Sequence, residues 1–130
     1  MKAFFALSIY AILILTSCGG NDESAFAVKQ KLTSANRAEI IFSNGKSINV
    51  GVENDALRLI KSSITDQDFK GKNCLADGKI NFYTQNVMVE TVDFAIQPGC
   101  SYVNYKYNNQ SYKKSISAEA KKYLEEAGRN

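Results

Sequence analysis

Between Lys79 and Ile116 the chain offers four strand-like runs divided by short polar punctuation. Lys79 to Thr84 is followed by Gln85-Asn86, and Val87 to Ile96 by Gln97-Pro98-Gly99. Cys100 to Tyr107 is followed by Asn108-Asn109, and Gln110 to Ile116 closes the series. Runs of this length joined by such turns predict an antiparallel meander, because a parallel return needs a much longer crossover.

Upstream, Arg37 to Ser43 alternates Ala38, Ile40 and Phe42 on one face. Asn44-Gly45 then predicts a hairpin with a type I′ turn, since both residues tolerate positive φ. Lys46 to Val52 returns with Ile48, Val50 and Val52 in register. Asn54 or Asp55 is placed to cap a helix carrying Ala56, Leu57, Leu59, Ile60 and Ile64, expected to end near Thr65. Asp66 to Gly78 is polar and reads as a loop. Ser117 starts a final helix with Ala120, Tyr123, Leu124 and Ala127 on one stripe, and Gly128 reads as its stop. Ser24 to Ala35 fits a strand or a helical turn through Phe26, Val28 and Leu32. The expected fold is α+β: a mostly antiparallel sheet, made of an N-terminal hairpin and a four-stranded meander, with a middle helix and a C-terminal helix against one face.

The N-terminus carries a different kind of signal. Met1-Lys2 gives a short positive start and Ala3 to Leu15 is almost unbroken hydrophobic chain. That run is shorter than the ~20 residues of a spanning helix and matches the core of a secretory signal. Leu15-Thr16-Ser17-Cys18 follows: an aliphatic residue, two small ones, then cysteine. This resembles the lipobox of bacterial lipoproteins. The resemblance implies cleavage before Cys18, a diacylglycerol thioether on its sulfur, and acylation of its amine by a fatty acid such as palmitate. It divides the chain into a signal peptide (1–17), a lipidated tether (18–25) and one domain (26–130). Each buried methylene contributes about 0.8 kcal/mol, so two or three acyl chains anchor a soluble domain stably. Gly19 stands where an aspartate would resemble an inner-membrane retention signal, so the expected location is the outer membrane, facing either side. Asn21-Asp22-Glu23 resembles the acidic patch that takes some lipoproteins to the cell surface, and a solvated acidic tether fits the same residues.

The formal net charge of +3 falls by one with Lys2, too mild a balance for a nucleic-acid surface. The final third is richer in lysine, as edge strands often are. With Cys18 lipidated, Cys74 and Cys100 remain, 26 residues apart in an oxidising compartment, and a disulfide is the expected outcome. In a meander the first and third strands begin at the same end, so Cys74, before one, and Cys100, opening the other, lie near each other.

Catalytic chemistry has little to work with. The chain has no histidine, which removes Ser-His-Asp and Cys-His nucleophile pairs. Glu90 and Asp93, three apart in one strand, should point to opposite faces and cannot flank one bond. Asp66 to Gly71, with Asp77 at position twelve, partly resembles an EF-hand calcium loop. Lys70 stands where an oxygen ligand is wanted and a strand rather than a helix follows, so a plain surface loop is expected. No metal, cofactor or catalytic residue is expected. Tyr83, Tyr105, Tyr107 and Tyr112 lie on the meander among Asn and Gln residues, the contact chemistry of a peptide, protein or glycan site; cross-strand packing explains the same rings. The expected role is a non-catalytic binding or interaction module. A protease or hydrolase inhibitor acting through a braced loop such as Gln97-Pro98-Gly99 is the alternative, and a small hydrolase using carboxylates or Ser-Lys a third.

Overall fold

The computed structural model describes residues 23–129. The expected signal peptide, the lipidation site Cys18 and most of the tether lie outside these residues. The element order is α1 (Glu23–Thr33), β1 (Arg37–Phe42), β2 (Ser47–Gly51), α2 (Asp55–Lys61), β3 (Ile64–Asp68), β4 (Gly78–Thr84), β5 (Val87–Gln97), β6 (Cys100–Tyr107), β7 (Gln110–Ile116) and α3 (Ala118–Arg129). The strands form one seven-stranded antiparallel sheet in the order β2-β1-β4-β5-β6-β7-β3. The fold is therefore α+β, with the expected hairpin and meander joined through β1 and β4.

Alternation decides which face of each strand is buried. Ala38, Ile40, Ile80, Phe82, Val92, Phe94, Val103 and Tyr105 share one face and pack with Val28 and Leu32 of α1, Leu57 and Ile60 of α2, and Leu124 of α3. Phe42 meets Phe94 edge to face at 5.6 Å, the preferred geometry for opposed ring quadrupoles. The other face is mostly polar, with short ladders such as Thr91 Oγ1 donating to Asn81 Oδ1 at 2.9 Å.

Local chemistry places the element ends. Asn54 caps α2, its side chain accepting from the Ala56 amide at 3.0 Å, and Ser117 Oγ accepts from the Ala120 amide at the start of α3. Gly128 does not stop α3; it lies inside the helix, against Phe42. Nor does α2 run to Thr65: it ends at Lys61, and Ile64–Asp68 becomes edge strand β3 on β7, shortening the expected loop to 69–77. Glu23, Ser24 and Ala25, assigned above to the tether, form the first turn of α1, with Ser24 and Ala25 buried. The β1–β2 turn is also not type I′. Only Gly45 has positive φ there, and the Gly45 amide bonds the Phe42 carbonyl inside a three-residue loop. Paired positive φ, the type I′ requirement, occurs instead at Gln85-Asn86 and at Asn108-Asn109.

Candidate functional site

The loop 69–77 folds back over the polar face of the sheet, and its attachments run from one end to the other. At its start the Phe69 amide donates to the Lys113 carbonyl and the Phe69 ring lies 5.1 Å from Tyr102. Gly71 then passes so close to the Gly99 carbonyl that a Cβ would sit 2.5 Å from it, and the Lys72 amide donates to that carbonyl. Cys74 is bonded to Cys100, with Cα atoms 6.0 Å apart, as the meander geometry predicts. The Tyr102 hydroxyl donates to the Cys74 carbonyl at 2.7 Å. At the far end Asp77 accepts from the Ile96 amide and from Gln97 Nε2.

These contacts bury a small apolar patch of Ala95, Cys100 and Tyr102 on the face opposite the main core. Lys113 completes it, holding Asn73 Oδ1 at 3.1 Å with its ammonium 4.6 Å above the Tyr102 ring. Burial, together with the carboxylates of Asp93 and Asp77, keeps the Tyr102 phenol protonated well into alkaline solution. The loop is thus fixed at both ends and in the middle, yet Leu75, next to the bonded cysteine, is 90 % exposed. An apolar side chain held outward on a fixed backbone contributes contact area at binding with no loop-ordering cost.

The four tyrosines do not make one face. Tyr105 is buried and stacks on half-buried Tyr112 at 6.0 Å, with Tyr107 tilted against Tyr112 at 6.4 Å. This trio packs around the start of α1: Ser24 Oγ and the Tyr105 hydroxyl are 3.0 Å apart, and the Tyr107 hydroxyl donates to Glu23. Burial and the Glu23 carboxylate raise the Tyr107 phenol above its ordinary value. Tyr83 lies on the opposite face, with the Arg37 guanidinium 4.0 Å from its ring centre. The cause is a β-bulge in β5. Phe82 pairs with Glu90 but Tyr83 pairs with Met88, so Val89 is an extra residue that reverses the alternation.

The carboxylates are also dispersed. Glu90 faces the helices and pairs with Lys31, while Asp93 faces the polar side. Asp66 pairs with Lys29 at 3.0 Å, and Asp68 with Lys114, which is buried. The EF-hand-like residues are therefore engaged as edge-strand ion pairs. Among the described residues no group of three acidic, histidine or cysteine side chains is placed to hold a metal ion. Above the Asp93–Asn104 pair, β5 and β6 part around a cleft of about 430 Å³ lined by Met88, Thr91, Asn104 and Lys106. Leu75 adjoins Cys74 and Tyr102 lies two residues beyond Cys100, so the cysteine spacing is the sequence signal that marks both. No protein-family model, curated protein or solved structure matches this chain.

Proposed function

We propose that this chain is a lipid-anchored envelope protein, held in the outer membrane through Cys18, whose single domain binds a protein partner and performs no catalysis. The observation that carries the binding role is the loop 69–77. It is fastened by a disulfide, a buried tyrosine hydroxyl and an aspartate, and it presents Leu75 almost fully to solvent. An apolar side chain carried outward on a backbone that is already fixed buries area at an interface without a loop having to be ordered first.

A photoreactive side chain at position 75 tests this in whole cells, with position 79 on the exposed strand face as control. One envelope protein captured at 75 and not at 79 supports the reading, and Leu75→Asp in the otherwise unaltered chain should then abolish co-purification of that protein without altering the unfolding temperature. Equal labelling at both positions counts against it.

A second reading, hydrolase inhibitor, draws on the same loop. The braced turn Gln97-Pro98-Gly99 lies against Gly71 and Lys72, so the two loops form one edge. Fixed, disulfide-flanked loops suit cleft blocking because they resist rearrangement when bound. Loss of peptidase or glycosidase activity in envelope extracts on adding the protein, reversed by Leu75→Asp, would select this reading.

A further inference from the structure

We infer that the opposite end of the sheet, where α1 begins, lies against the phospholipid surface, so that the loop 69–77 projects away from it. This rests on the lipid-anchor reading and adds to it a defined orientation. Glu23, the first described residue, is bonded to Tyr107 at the last residue of β6. Five residue steps separate Cys18 from Glu23, a reach of at most about 18 Å when fully extended. Along β6, from Tyr107 to Cys100, the chain advances about 23 Å at ~3.3 Å per residue. The tether is therefore too short to let the disulfide end rest on the bilayer with the strands upright.

The exposed side chains divide the same way. Among the described residues the exposed large hydrophobics are Phe26, Val52, Leu75, Val87 and Met88. Leu75 stands at the disulfide end. The other four belong to the end marked by Glu23. Val87 and Met88 open β5 opposite Thr84 and Tyr83. Val52 follows Gly51, which pairs with Arg37, itself paired with Tyr83. Phe26 is one turn into α1. Exposed Lys31 and Lys106 accompany them. Apolar and aromatic side chains with lysines among them suit the boundary between headgroups and acyl chains, where the apolar groups leave water and the ammonium groups meet phosphate.

The chain has no tryptophan, so a single introduced indole reports depth without background. The acylated mature protein, beginning at Cys18, would be reconstituted into vesicles of phosphatidylethanolamine and phosphatidylglycerol containing brominated phosphatidylcholine, which quenches indoles at the acyl boundary. Val87→Trp and Phe26→Trp should lose most of their emission, and Leu75→Trp should keep it. All three sites are exposed, so folding is checked simply by circular dichroism. Quenching at 75 equal to or above that at 87 and 26 overturns the orientation. Absence of quenching at every site, in protein that floats with the vesicles, overturns it too and leaves the anchor standing. Protein that fails to float, with a mass showing no acyl chains, removes the anchor reading and the orientation together.

Discussion

On one face of the sheet Ile40, Phe82 and Phe94 lie wholly buried under helices, while Glu39, Asn81 and Asp93, their neighbours in the same strands, are only half-buried. The helix-covered face draws its stability from apolar burial across three helices. The polar face depends on cross-strand pairs, except at one corner where loop 69–77 closes over Tyr102. That corner buries three residues where the main core buries many, so a disulfide replaces area that the loop cannot supply. The difference teaches where this chain can vary: the covered face is constrained by volume, the polar face by pairing, and the loop by its clasp.

The sharpest way to break this contrast compares adjacent residues of β5. Phe94→Ala removes a fully buried ring that packs on Phe42 and should cost about 3–5 kcal/mol. Asp93→Ala, on the polar side, should change stability by less than about 1 kcal/mol. Urea unfolding of both variants measures the difference, and similar losses would mean that the two faces are not held by different means.

The disulfide comes next. Replacing Cys74 and Cys100 together by serine frees a 26-residue separation in the unfolded chain and should cost about 3.5 kcal/mol on the loop-entropy model. The urea dependence should steepen, because the unfolded chain without its cross-link exposes more surface. Amide exchange should quicken in loop 69–77 while β1 and β4 keep their protection. A loss below about 1 kcal/mol would shift the credit for the clasp to Tyr102 and Asp77.

The sheet was legible in the sequence because β1, β2 and β4 alternate visibly and short turns bound β5, β6 and β7. Edge strand β3 was not, since Ile64 is its single buried residue and its remaining side chains are polar. What makes it a strand lies elsewhere in the chain: Lys29 and Lys114, which satisfy Asp66 and Asp68. Helix α1 was ambiguous because Ala25, Val28 and Leu32 follow helical spacing while Phe26, the largest apolar residue there, faces solvent. The four tyrosines divide between two faces because of the extra residue at Val89. Without that bulge, the two-residue turn Gln85-Asn86 would have placed Tyr83 on the same side as Tyr105. A single inserted residue inside a strand leaves little trace in composition, so a site assembled by counting alternate residues is secure only within one unbroken ladder.

The smallest expected effect concerns how the clasped corner responds to pH. Tyr102→Phe keeps the ring against Phe69 and below Lys113 but removes the hydroxyl bonded to the Cys74 carbonyl. At neutral pH it should cost about 1 kcal/mol, the net worth of one hydrogen bond. Desolvation, reinforced by Asp93 and Asp77, raises the folded phenol above its ordinary value near 10.0. A raised folded value means the unfolded chain ionises first. The hydroxyl's contribution is therefore whole below the unfolded value and is lost as pH climbs from there toward the folded one. Wild type should lose stability through this alkaline window more steeply than Tyr102→Phe, and the two unfolding curves should converge. Parallel curves would show that the phenol titrates alike in both states, and that the corner under loop 69–77 is as wet as the rest of the polar face.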